Sequence, residues 1–158
     1  MLREQCCTRA LEREQIPIVH KNGIKIKVIA GKVNGTEGPV RDLAIATEYF
    51  DVELAPGKAL EHFAPRNCTA FAYVVDGSIE VLDKTIIQGQ CAIIGEGDFV
   101  RIGSKNGSRF LFASGKPLKE PVAWRGPIVM NTQEELDKAF EELDMGTFIK
   151  TKKPVKPS

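Results

Sequence analysis

The chain has 158 residues, with 22 lysines and arginines against 21 acidic residues and a formal net charge of +1. So even a balance carries no nucleic-acid footprint, no run reaches the roughly 18 apolar residues of a membrane span, and two histidines with four cysteines lacking any CxxC spacing exclude a zinc-ligand grouping. The length is that of one ordinary domain, able to bury roughly 70% of its unfolded surface without a staple, and the absence of an apolar signal core at the amino terminus predicts a soluble, intracellular protein with free thiols.

Residues 1–15, MLREQCCTRALEREQ, read as a lead-in linker or short helix, and Ile16-Pro17 then forces an extended backbone. From Ile24, IKIKVIAG alternates apolar and basic residues with period two, as a half-buried strand does. GKVNGTEGP (31–39) is a glycine-rich loop; it lacks the lysine-serine/threonine ending of a P-loop and opens no helix. In YFDVELAPG (49–57), Phe50, Val52 and Leu54 share one face while Asp51 and Glu53 take the other. The runs AFAYVV, SIEVLD, TIIQG, QCAIIG, DFVRIG, SRFLFASG and PVAWRG follow, all but SIEVLD ended by Gly or Asp-Gly. Strands this short and this evenly spaced predict an all-β antiparallel sandwich or barrel.

Only the last element changes period. In NTQEELDKAFEELDMG, Leu136, Ala139, Phe140 and Leu143 recur at helical spacing, Thr132 and Glu135 suit a capping box, and Gly146 stands where a helix stops. The apolar stripe is expected to pack on the chain's own barrel, with a partner's groove as the alternative. KTKKPVKPS (150–158) has almost nothing to bury and reads as a basic, disordered tail; a nucleic-acid or nuclear-import patch is the alternative. The resulting division is 1–15 lead-in, 16–149 barrel plus helix, and 150–158 tail.

The strand and turn pattern resembles the cupin family, β-barrels whose first motif reads G-x5-H-x-H-x4-E-x6-G and whose second reads G-x5-P-x-G-x2-H-x3-N. Counted from Gly57, the two histidine positions fall on Phe63 and Pro65, the glutamate position on Ala70, and the closing glycine on Gly77. Counted from Gly89, the second motif's histidine position falls on Val100. Phe63, Pro65, Ala70 and Val100 are thus vestigial ligand positions, and none offers the N or O lone pair that a divalent iron, manganese or zinc ion needs. His62 lies one residue out of register, and a one-residue slip turns a strand side chain to the other face, so a surface or rim position is expected for it. Apolar residues at the ligand positions suit a barrel filled by its own side chains, with a dry pocket for an apolar small molecule as the alternative.

A narrower resemblance lies in GEGDFVRIGS (95–104) and in SGKPLKEPVAWRGPIVMNTQEELDKAFEELDMGTF (114–148), which look like the closing region of the pirin family. REQIPIVHKNGIKIKVIAG upstream resembles the entry to the second half of a pirin, so the similarity runs from about residue 12 to 148. Pirins are bicupins whose metal, usually iron, sits in the amino-terminal barrel, held by three histidines and a glutamate. The chain is similar to the carboxy-terminal barrel alone. The resemblance implies a jelly-roll-like cupin barrel with one carboxy-terminal helix, no catalytic, cofactor or metal residue, and no enzyme activity for this chain by itself. It implies action through protein contacts, as a homo-oligomer, with a second cupin domain, or with partners such as transcription regulators, in the cytoplasm or nucleus. Two other functions stay open: a quercetin-type dioxygenase, which needs the metal-binding half, and a metal-free small-molecule binder.

Overall fold

The computed structural model describes residues 10–41, 43, 45–63, 67–95 and 97–150. The chain divides between Pro117 and Leu118 into two compact units. Cys6 and Cys7, Pro65, most of the lead-in and all of the tail after Lys150 lie outside the described residues.

In the first unit a turn of 3-10 helix, Arg13–Gln15, leads into β1 (Ile18–Lys21), β2 (Ile24–Ala30), β3 (Lys32–Val33), β4 (Thr36–Glu37), β5 (Thr47–Leu54) and β6 (Lys58–His62). Then come β7 (Thr69–Val81), β8 (Lys84–Ile87), β9 (Cys91–Ile94), β10 (Val100–Ser104) and β11 (Ser108–Gly115). Nine of these form one curled antiparallel sheet in the order β1-β2-β5-β11-β7-β10-β6, with β8 and β9 also on β7; β3 and β4 make a separate hairpin. This is the all-β, cupin-like architecture that the alternating runs predict.

Period two decides what the sheet encloses. Ile26 and Val28 of β2, Phe50, Val52 and Leu54 of β5, Ala70, Ala72 and Val74 of β7, and Phe110 and Phe112 of β11 all point inward and are buried. Leu60, Ile79, Val100 and Ile102 meet them in the same core. At roughly 25 cal/mol per Å² of apolar surface, each of the valine, leucine, isoleucine and phenylalanine side chains contributes on the order of 2 kcal/mol. On the outward side of β5, Asp51 is also buried, because Arg109 of β11 and Lys27 of β2 lie over it.

One boundary differs from the sequence expectation. AFAYVV and SIEVLD read as two strands broken by Asp76-Gly77, but β7 runs unbroken through both. Gly77, at φ +73, bends the strand instead of ending it, and a Cβ there would stand 2.6 Å from the Gly107 carbonyl oxygen. That bend lets the amino-terminal part of β7 pair with β11 and β9 while its carboxy-terminal part pairs with β10 and β8.

The second unit holds β12 (Ala123–Arg125), paired with β13 (Ile128–Met130), and α1 (Gln133–Asp144). Thr132 caps the helix, its hydroxyl accepting from the Glu135 amide at 3.2 Å. The Glu135 carboxylate returns to the Asn131 amide, one residue before the position a capping box requires. Gly146, at φ +67, closes the carboxy-terminal end. Leu136 and Ala139 are buried, and the Arg125 guanidinium lies 3.7 Å over the Phe140 ring. Among the described residues no helix is long and apolar enough to cross a membrane.

Candidate functional site at the barrel mouth

Strand register sets which side chains meet at the open end of the core. Ser114 of β11 lies opposite Glu48 of β5 on one side and Ala70 of β7 on the other, and Ala70 lies opposite Ile94 of β9. From the facing wall, Val100 of β10 lies opposite His62 of β6. These six positions line one rim of the interior.

Three of them form a closed polar cluster. The His62 Nε2 stands 3.0 and 2.9 Å from the two Glu48 carboxylate oxygens, and Ser114 Oγ donates to Glu48 Oε2 at 2.6 Å. A carboxylate can only accept, so Nε2 carries the proton. The His62 ring stands edge-on to Phe50 and Phe112, at centroid distances of 5.4 and 5.6 Å. Those two rings stack on each other at 5.8 Å. The side chains of His62 and Glu48 are only 14% and 18% exposed, so the pair works in a drier setting than a surface ion pair.

Of the surface or rim position expected for His62, the structure shows the rim, with the ring turned inward against Phe50 and Phe112. Leu60 and His62 face inward opposite Ile102 and Val100, whereas Phe63, counted as the first vestigial ligand position, turns outward, 78% exposed and against Phe99 at 5.5 Å. The count from Gly57 misses by one because the pairing of β6 with β10 sets the facing, not the distance from the turn. Ala70 and Val100 do face inward and are 3% exposed; Pro65 lies outside the described residues. Glu48 and Ser114 were not singled out by sequence reasoning. Each continues an alternating run, Glu48 with Phe50, Val52 and Leu54, and Ser114 with Phe110 and Phe112, and that is the signal that could have found them.

The donor set does not fit a cupin iron centre. Three histidines and a glutamate would have to converge on one point, and here one imidazole, one carboxylate and one hydroxyl are bonded to each other, with alanine and valine beside them. Among the described residues no three of His, Cys, Asp and Glu come together. Nor is the cluster ordered as a Ser-His-carboxylate triad: the serine hydroxyl bonds to the Glu48 carboxylate and not to the imidazole, which bonds to the same carboxylate.

The outward face of the same sheet carries a second charged group. Asp51 accepts from Arg109 Nε at 2.9 Å and Nη2 at 2.8 Å and from Lys27 at 3.1 Å. The Arg109 hydrogen bonds hold the Asp51 carboxyl below its ordinary pKa against the opposing effect of burial, with Lys27 adding to the shift. Beside it on β7, Phe71 and Tyr73 are each 41% exposed. Cys68 and Cys91 are free thiols.

Comparison with known proteins adds four findings. The family described as "Pirin C-terminal cupin domain" matches residues 49–149. A Thermoplasma acidophilum protein with a provisional quercetin 2,3-dioxygenase name is 35% identical over 156 residues, covering 93% of this chain and 60% of that protein. Pirin-1 of Arabidopsis thaliana is 37% identical over 141 residues, covering 85% and 49%. Among solved structures, a quercetin 2,3-dioxygenase from Acinetobacter baumannii superposes with a TM-score of 0.82 at 28% identity, over 89% of this chain and 50% of that one. The chain thus spans between about half and three fifths of the length of these relatives.

Proposed function

Because the chain belongs to the pirin family, by way of its C-terminal cupin domain, we propose that it is a metal-free cupin module that acts by binding protein, as one half of a two-barrel assembly. The carrying observation is the barrel mouth, where His62, Glu48 and Ser114 satisfy one another and Ala70 and Val100 fill the remaining positions. A side-chain cluster that consumes its own donors supports shape as the retained property. The exposed rings of Phe71 and Tyr73 on the sheet's outward face are apolar surface of the kind another barrel covers, from a second domain or a second copy. A cytoplasmic or nuclear location, and partners such as transcription regulators, go with this reading.

Metal analysis of the purified chain, grown and handled with iron and manganese present, tests it. The expected metal content is far below one ion per chain, with no rise in thermal midpoint on adding Fe(II) or Mn(II). Stoichiometric, stabilising metal would sink the proposal. A dioxygenase reading is favoured by the names of two similar proteins. It predicts oxygen uptake with quercetin by this chain alone, abolished by a chelator.

A further inference from the structure

Strand β9 is an edge. Among the described residues its ladder runs to β7 alone, with Ala70 opposite Ile94, Phe71 opposite Ile93, Ala72 opposite Ala92 and Tyr73 opposite Cys91. The hydrogen bonds just before it set the phase: the Val74 amide donates to the Gln90 carbonyl at 3.0 Å, and the Gly89 amide to the Val74 carbonyl at 2.9 Å. Bonded and non-bonded pairs alternate along an antiparallel ladder, so the next bonds are exchanged by Ala72 with Ala92 and by Ala70 with Ile94. Cys91 and Ile93 therefore turn their N–H and C=O groups away from β7. Open space lies beside the second half of the strand. Ile93 points outward with Phe71 and is 80% exposed, whereas Ile94 points inward against the core, yet both line one hollow of about 770 Å³. A space that touches both faces of a strand lies along its edge.

Unpaired backbone groups recruit another strand, and free edges are ordinarily blunted by charge or proline. The other strands that end the ladders follow this rule: β1 carries His20 and Lys21, β6 carries Lys58 and Glu61, and β8 opens on Lys84. Residues 89–95, GQCAIIG, hold no charge and no proline. The strand suits a copy of itself. About a two-fold axis at Ala92, Cys91 of each chain stands opposite Ile93 of the other, each such pair exchanges both backbone bonds, and no like charges are brought together. Ala92 meets its counterpart on the inner face, where a non-hydrogen-bonded pair brings Cα atoms to about 4.5 Å. Cys91 and Ile93 meet on the outer face as cross-strand neighbours. An axis at Cys91 would instead need Gly89, whose amide is already given to Val74, and an axis at Ile93 would need Gly95, beyond the strand.

We propose that two copies of this chain join edge to edge through β9, antiparallel about Ala92, so that their β5-β11-β7-β9 layers continue into one sheet. The proposal goes beyond the two-barrel reading: the contact is a strand edge, and it leaves the Phe71 and Tyr73 face free. Sedimentation equilibrium and amide hydrogen exchange on the full chain test it. A dimer with a dissociation constant in the micromolar range is expected, with the Cys91 and Ile93 amides exchanging more slowly as protein concentration rises. Ile93→Lys is expected to weaken the dimer at least about a hundredfold with an unchanged circular dichroism spectrum, since Ile93 is exposed in the single chain. The same change at Ile87, exposed on β8, leaves the dimer intact. In a Cys91→Ser background, Ala92→Cys gives a dimer linked through the introduced thiols, whose Cα separation falls in the disulfide range of about 4.4–6.8 Å. A monomer at submillimolar concentration, which would leave the edge to another protein's strand, overturns the proposal. So does a dimer that tolerates Ile93→Lys, or exchange at Cys91 and Ile93 that ignores concentration. None of these outcomes bears on metal content, by which the proposed function is judged.

Discussion

Removing His62 and Glu48, singly and together, asks how much the mouth cluster holds. His62→Ala deletes two edge-on aromatic contacts, worth about 0.5–1.5 kcal/mol each, and a hydrogen bond to a charged group worth about 1.5–3 kcal/mol. The expected loss is about 3–5 kcal/mol. Glu48→Ala leaves the imidazole and the Ser114 hydroxyl without their acceptor and is expected to cost about 2–3 kcal/mol. With side chains 14% and 18% exposed, the pair lies between the surface limit of about 0–1 kcal/mol and the buried limit of about 3–5 kcal/mol. The coupling from the double-mutant cycle is therefore expected at about 1.5–2 kcal/mol. The apolar pair His62→Phe with Glu48→Leu should recover most of the loss, since a mostly buried polar pair is exchanged for packing. Urea denaturation at pH 7 with shared m-values measures all four corners. Single losses below about 0.5 kcal/mol, or a coupling within about 0.3 kcal/mol of zero, would refute the assignment of the cluster as the closure of the mouth.

Three further outcomes can be checked by the same denaturation assay. The Asp51 carboxyl has a folded pKa below 3.8, so its stabilisation is present above the unfolded value and is lost as pH falls through the lower folded value. Asp51→Asn is accordingly expected to cost about 1–2 kcal/mol at pH 7, with the gap to wild type narrowing below about pH 4; a gap constant down to pH 3 would contradict the ion-pair account. Ser108 Oγ is buried with no hydrogen-bond partner, so Ser108→Ala is expected to be neutral or to stabilise by up to about 1 kcal/mol. Gly77→Ala pushes a methyl group against the Gly107 carbonyl in a left-handed conformation and is expected to cost at least about 2 kcal/mol; a loss below about 0.5 kcal/mol would show that the strand absorbs it.

The sequence made the sheet legible wherever one face is buried. In YFDVEL and SRFLFASG the inward residues recur at every second position, and both segments are strands with those residues in the core. The helix was legible from Thr132 and Gly146, which act at its two ends. Asp76-Gly77 misled because the same dipeptide serves a hairpin turn or a bend within a strand, and only the partners on either side of β7 decide between them. The mouth cluster was hidden for a different reason. Glu48 is 14 residues from His62 and 66 from Ser114, and their meeting depends on strand register that no local spacing encodes. Counting from Gly57 found a ligand frame, but the facing of β6 is fixed by β10, which moved the inward position from Phe63 to His62.

The position of β6 at the end of the sheet order has a kinetic corollary. Among the described residues its ladder runs to β10 and does not continue to β5 or β2, so the seam on that side is shut by side chains, with the His62 to Glu48 bond spanning it. A seam of this kind opens without breaking a ladder, in a local unfolding cheaper than the global one. Amide hydrogen exchange should register this as fast-exchanging protons along β6 and slow ones along β7, which is paired on both sides, and cutting the His62 to Glu48 tether should quicken exchange in β6 well before it does so in β7.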